Sequence, residues 1–151
     1  MKRTLLAVTG CAVVALSGCS SEPAGPELFT SRMTVVGLSN SATSDSCTFE
    51  EGTVESGYTA LVVRGADAWI LAKQDLRLDS ARDVGTLGGP VCTFRADVEV
   101  PVGEAAYEVD VEGLDASKFE AKLFTEQELR GEAAIQLHDA IGFGLAQLQG
   151  G

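Results

Sequence analysis

The chain has 151 residues, with 22 acidic side chains against 11 basic ones and a formal charge of −11. That balance excludes a nucleic-acid binder, which needs a basic footprint for phosphates, and disfavours a folded domain lying flat on anionic lipid. With 45% hydrophobic residues, the length suits one domain with a real core rather than several.

Met1, Lys2 and Arg3 form a short basic start, and positions 4–18 carry no charge. An apolar run of that length falls short of the about 20 residues a membrane-spanning helix needs, and it reads as a signal peptide. Leu16-Ser17-Gly18-Cys19 closes the run, and this junction resembles the bacterial lipobox. The resemblance implies a diacylglycerol on the Cys19 thiol and removal of residues 1–18, leaving Cys19 first in the mature chain. The other readings of the segment are a plain secretory signal with an incidental Cys, or an uncleaved anchor. Two or three acyl chains hold a protein firmly, at about 0.8 kcal/mol per buried methylene. The expected location is therefore the extracytoplasmic face of the cell membrane, with the lipid as the membrane partner. Loss of Lys2 and Arg3 leaves 9 basic against 22 acidic side chains, a mature charge of −13.

Cysteine use narrows the picture further. Cys11 lies in the apolar run and leaves with it, and Cys19 takes the lipid, so Cys47 and Cys92 remain. An even pair in an exported chain is a disulfide candidate. Closing a loop of this size restricts the unfolded chain by about 4 kcal/mol. The alternative is a metal site with His138, but the two Cys lack the close ligand spacing such sites use.

After the anchor, positions 20–27 are polar with Pro23, Gly25 and Pro26, the composition of a flexible tether. Positions 33–38 predict a first strand. Positions 39–46 are small and polar, a loop before Cys47, and 48–57 read as a loop with a short strand. The apolar runs 59–64 and 68–72 flank Gly65-Ala66-Asp67, a hairpin signal. Trp69, the one Trp, is expected in the core or on the sheet surface rather than as a ligand-stacking platform. Leu76 and Leu78 are placed to face the core, and 85–90 is a turn-rich loop.

The clearest pattern follows. Cys92, Phe94, Ala96, Val98 and Val100 share one face, and Thr93, Arg95, Asp97 and Glu99 the other, the period of a half-buried strand. That period turns Cys92 toward the core, where a bridge to Cys47 would staple two sheets. Pro101 ends the strand. Tyr107, Val109 and Val111 alternate with Glu108, Asp110 and Glu112, and 92–100 is expected to pair antiparallel with 107–112. Thr125 to Glu128 fits a capping box, a short helix that Gly131 stops, and 133–137 predicts a last strand. The tail beyond 141 fits a strand or a helix equally.

Many short strands with turn signals and almost no helix predict an all-β chain: an antiparallel β-sandwich of about seven strands, immunoglobulin-like or transthyretin-like. The expected organisation is a signal peptide at 1–18, a lipidated N-terminus and tether at 19–30, the sandwich at 31–138 and a tail at 139–151.

One ordered set of motifs goes beyond pattern. Cys47, Gly57-Tyr58, the apolar hairpin, Cys92-Thr93-Phe94, Val100-Pro101, Tyr107-Glu108-Val109-Asp110-Val111 and Phe124-Thr125 to Glu128-Leu129 follow one another over roughly 47–137. The order resembles a small C-terminal domain of many actinobacterial lipoproteins and membrane proteins. The resemblance implies a Cys47–Cys92 disulfide and a β-rich fold, and it implies no activity. This chain departs from the family after Tyr58, where the family has an Asp-Ile pair and a further Gly.

Catalytic constellations are harder to find. His138 is the one His and reads as a solvated residue at a strand end. No Ser sits in a Gly-x-Ser-x-Gly context, and Gly85-Thr86-Leu87-Gly88-Gly89 lacks the Lys of a phosphate loop. Carboxylates form the remaining cluster. Under the expected pairing, Asp97, Glu99, Glu108, Asp110 and Glu112 crowd one outer face with Arg95 as their cation, at up to about 1 kcal/mol for each like-charged pair. A basic envelope protein, Ca²⁺ and plain solvent are the three readings of that face, and rigid sheet carboxylates suit Ca²⁺ poorly. The function expected is a non-enzymatic, lipid-anchored binding module of the cell envelope, without cofactor or bound metal. A structural or carrier lipoprotein holding an apolar ligand between its sheets is the alternative, and a carboxylate-dependent hydrolase a third reading.

Overall fold

A computed structural model describes residues 25–85 and 88–137. Cys19, the signal segment, His138 and the 139–151 tail lie outside them. Three sheets account for eleven strands: β1 Leu28–Leu38, β2 Ser41–Ala42, β3 Ser46–Thr48, β4 Thr53–Glu55, β5 Ala60–Arg64, β6 Ile70–Asp75, β7 Arg77–Asp83, β8 Pro90–Pro101, β9 Tyr107–Val111, β10 Lys122–Phe124 and β11 Glu132–Leu137. One short helix, α1 Glu126–Arg130, precedes β11. The first sheet has the order β11-β1-β8-β7, the second β10-β9-β5-β6, and a small third one β2-β3-β4. The chain is all-β, as its periodicity predicts. The strand count exceeds seven because the small sheet is built from stretches too short and polar to show a period. Leu28 to Thr30, expected in the tether, belong to β1.

The two large sheets face each other across one core. Met33, Val35, Phe94, Val98, Val100 and Ile135 from the first meet Leu61, Val63, Tyr107, Val109 and Val111 from the second, all buried. Phe29 of β1 meets Tyr107 of β9 edge to face, with centroids 6.1 Å apart and an 88° interplanar angle. Such a pair adds about 1 kcal/mol beyond the area it buries. β8 buries every second residue from Cys92 to Val100 and exposes Arg95, Asp97 and Glu99. At the corner between β6 and β7 the chain passes from the second sheet to the first through Leu76, which is fully buried. Its backbone N–H donates to the Thr59 carbonyl at 2.8 Å, and its own carbonyl accepts from Gly57 N–H at 2.8 Å.

Pairing is antiparallel except between β1 and β11, which run parallel with Arg32 opposite Glu132 and Gly37 opposite Leu137. The helix explains the direction. β10 ends where Phe124 lies opposite Tyr107, at the end of the sandwich where β1 begins. The chain crosses there to the first sheet through α1 and can only run away from that end, as β1 does. The helix has its capping box: Glu128 N–H donates to Thr125 Oγ1 at 3.3 Å, and Thr125 N–H donates to Glu128 Oε2 at 2.7 Å. Leu129 drives the helix into the core with no exposure.

The expected pairing of 92–100 with 107–112 does not form. β8 pairs with β1 and β7, whereas β9 pairs with β5 and β10. With both edges of β8 occupied, the 101–107 segment arches across to the second sheet instead of folding back as a hairpin. Tyr107 Oη donates to the Pro101 carbonyl at 2.8 Å and pins the arch.

Cys47 and Cys92 form a disulfide with Cα atoms 6.6 Å apart. It replaces the metal reading of the pair. The bridge ties β8 to the small sheet through β3, not the two large sheets to each other. Both half-cystines are buried, and the Ser39 hydroxyl sits 3.3 Å from Cys92 Sγ while donating to the Pro90 carbonyl at 2.8 Å.

Candidate functional site

The outer face of the second sheet brings ion pairs, exposed apolar side chains and a hollow together. β9 and β5 place Glu108 opposite Arg64 and Asp110 opposite Val62. β6 places Ile70 opposite Arg64 and Lys73 opposite Val62. β10 adds Leu123 opposite Glu108. One row therefore reads Leu123, Glu108, Arg64, Ile70 across four strands, with an ion pair between two apolar ends. Leu123 and Ile70 are 73% and 59% exposed.

Arg64 holds two carboxylates. Its Nη1 lies 3.3 Å from Asp110 Oδ2 and 3.6 Å from Glu108 Oε1. Lys73 Nζ lies 2.7 Å from Glu112 Oε2. Pairs this accessible contribute at most about 1 kcal/mol each to stability. Beside them opens a hollow of about 520 Å³, whose lining includes Val62, Lys73, Asp110, Leu114 and Phe119. It is a concave surface with an apolar floor and charged walls, able to take an extended segment or a small polar group.

The five carboxylates expected on one face are divided between two. Glu108, Asp110 and Glu112 lie on the second sheet. Asp97 and Glu99 lie on the outer face of the first, across the core from the others. There Asp97 Oδ1 is 3.5 Å from Arg32 Nε, and Glu99 stands opposite Thr30. Arg95, expected as the cation among the five, pairs instead with Asp79 at 3.3 Å. The single acidic face is overturned because the 101–107 arch changes sheets. Among the described residues no group of three or more His, Cys, Asp or Glu is placed to hold a metal ion.

A second feature lies where β1 begins. The 65–69 turn joins β5 to β6, with Gly65 N–H donating to the Trp69 carbonyl at 3.0 Å and Ala68 N–H to the Gly65 carbonyl at 2.9 Å. Trp69 is 74% exposed, so it is not a core residue. The signal available for this was its position directly after a turn, which outweighs its hydrophobicity. Nearby, Gly103 N–H donates to Glu126 Oε2 at 3.0 Å. That donor first, then Arg130, holds the Glu126 carboxyl below its ordinary range. Burial raises the pKa of the Tyr107 hydroxyl, and the carboxylates Glu126 and Glu104 push the same way against the Glu104 N–H.

What fold and face define is a class: an all-β, disulfide-linked domain with an open, ion-paired groove on one outer sheet. Comparison with protein-family models, with curated proteins and with solved structures finds no match.

Proposed function

We propose that this chain is a lipid-anchored, extracytoplasmic binding domain of the cell envelope. It works without catalysis, and its contact surface is the outer face of the second sheet. The observation that carries the binding reading is the groove itself. Arg64 and Lys73 stand among Glu108, Asp110 and Glu112 over an apolar floor, with exposed Leu123 at the β10 rim. Acids outnumber cations there, so the partner that fits is an envelope protein offering a basic segment with apolar flanks. The lipobox-like Leu16-Ser17-Gly18-Cys19 supports the anchor. The Cys47–Cys92 bridge supports an oxidising compartment, where such links persist. The space between the large sheets is filled by side chains such as Met33, Phe94, Leu61 and Tyr107, so no observation favours a carrier of apolar ligands.

Amine-directed cross-linking in native envelopes, read by mass spectrometry, tests this directly. The lysines beyond the signal segment are Lys73, Lys118 and Lys122, and Lys73 lines the groove. One reproducible envelope protein should be captured through them in the wild type and weakened in Cys19→Ala. Recovery of a small apolar molecule with no cross-linked protein would replace this reading with the carrier one.

A further inference from the structure

We propose that the end of the domain carrying the 65–70 turn docks on the bilayer that holds the anchor, with Trp69 and Ile70 entering the lipid interface. This rests on the lipid-anchored reading above. Trp69 and Ile70 are 74% and 59% exposed and adjacent in sequence, and Leu28 on the same end is 51% exposed. The turn presenting them is built, not slack. Besides its two backbone bonds, Trp69 N–H donates to Asp67 Oδ1 at 3.3 Å, and Ala68 is held at φ 64°, a region L-residues other than Gly, Asn and Asp seldom occupy. A rigid turn that points an indole at solvent wastes apolar surface unless something covers it. Trp is the side chain that partitions best to a membrane–water interface.

The path of the chain into the domain identifies that surface as the bilayer holding the anchor. Leu28 pairs with Pro101, and Val102 N–H donates to the Glu27 carbonyl at 2.9 Å. Glu104, three residues past Pro101, approaches Gly65: a Cβ built there would lie 2.9 Å from Glu104 Oε2. The chain therefore enters the domain at the end where the turn sits. Only nine residue steps separate Cys19 from Leu28, at most about 32 Å whatever their conformation. Acyl chains on Cys19 would hold this end within that distance of the bilayer, where a linker this short keeps the local concentration near the millimolar range. Weak insertion then suffices. The other terminus leaves from the far end: β11 finishes at Leu137 opposite Gly37, about 30 Å along β1 from Leu28.

Charge sets a sign that separates this contact from the usual one. Asp67, Glu104 and Glu27 cluster at this end, so anionic headgroups repel it. Contact should be strongest on zwitterionic bilayers, weak on anionic ones at low salt, and restored on the latter as salt screens the repulsion. A basic membrane patch behaves in the opposite way.

Trp69 is the only Trp in the chain, so its emission reads the contact without labelling. The full chain, produced in bacteria with its own signal segment, is checked for acylated Cys19 by mass spectrometry. It is then reconstituted in phosphatidylcholine vesicles with or without bromine on the acyl chains. Trp69 emission should fall to about half in the brominated vesicles, as expected for an indole at the interface. Ile70→Ser, at an exposed position, should relieve the quenching while leaving the thermal melt unchanged. Equal emission in the two vesicle types, with Cys19 acylated, overturns the docking and leaves the anchored reading standing. Shielding from acrylamide without bromine quenching means protein covers Trp69, a second copy or the 138–151 segment, and overturns it too. An unmodified Cys19 removes the anchor and the docking together.

Discussion

Removing the Cys47–Cys92 bridge measures how far the domain depends on restricting its unfolded chain. The bridge spans a sequence separation of 45, and loop-closure entropy for that span amounts to about 4 kcal/mol at 25 °C. In Cys47→Ala/Cys92→Ala the two buried sulfurs also vacate roughly a methyl group's volume each, at about 1 kcal/mol apiece. No polar atom is orphaned, because the Ser39 hydroxyl keeps its 2.8 Å bond to the Pro90 carbonyl. A domain of this size has about 5–15 kcal/mol to lose, so a loss of about 6 kcal/mol leaves the variant folded over most of that range. With a urea slope near 2 kcal/mol per molar, its midpoint should drop by about 2–3 M. The slope should rise, since the unlinked chain exposes more surface on unfolding. Far-ultraviolet circular dichroism is the readout, not Trp69 fluorescence, because Trp69 is already 74% exposed when folded. A midpoint shift under about 0.5 M with an unchanged slope would refute the loop-entropy reasoning.

Gly37→Ala should destabilise by about 2–3 kcal/mol, the upper part of the range for overpacking. The new methyl would sit 2.7 Å from the Leu137 carbonyl oxygen and 2.9 Å from Phe49 Cε1. The first of these is backbone of the paired strand and cannot swing aside. Thermal melts give the magnitude, and faster amide exchange confined to β11 would locate it. Acid should weaken the domain through α1. Glu128 is held below its ordinary pKa by the Thr125 N–H and hydroxyl, and Glu126 by the Gly103 N–H and Arg130. Groups with depressed folded pKa stabilise above their unfolded value near 4.5 and lose that contribution as pH falls through the folded one. The melting temperature should therefore hold from pH 7 to about 5 and then decline, and Glu126→Gln/Glu128→Gln should decline less steeply; parallel curves would refute the assignment.

What could be read from the sequence was facing. Alternation in 92–100 and 107–111 states which side chains are inward, because successive residues of a strand point to opposite sides, and each of those assignments matches the burial of β8 and β9. The capping box was equally legible, since a helix start is decided within four residues. Partnership was legible where a short turn closes it, as in the β5–β6 hairpin around Gly65-Ala66-Asp67, but not between strands distant in the chain. Nothing in the period of β8 says that both its edges are occupied by β1 and β7, since those neighbours lie some 60 residues back and 15 back in the chain. The parallel β1–β11 pair was hidden for the same reason: its direction follows from where α1 crosses between sheets, a property of the assembled domain.

The candidate site shows how one such unread fact propagates. Every carboxylate of the expected acidic face is on an outer surface, so the local reading of each was sound. Their grouping depended on the 101–107 segment closing a hairpin, and an arch there sends Asp97 and Glu99 to one side of the core and Glu108, Asp110 and Glu112 to the other. The residue that then gives the second face its character is Arg64, which stood in the sequence as a lone charge ending the run Leu61-Val62-Val63. With its side chain 27% exposed and carboxylates at 3.3 and 3.6 Å, it is the cation nearest the middle of the face. Its worth to folding is small, as for other accessible pairs, but without it Glu108 and Asp110 would stand side by side uncompensated. The face is then not a general acidic patch. It is a groove whose sign alternates over a few ångströms, and a partner must match that alternation as well as the net charge.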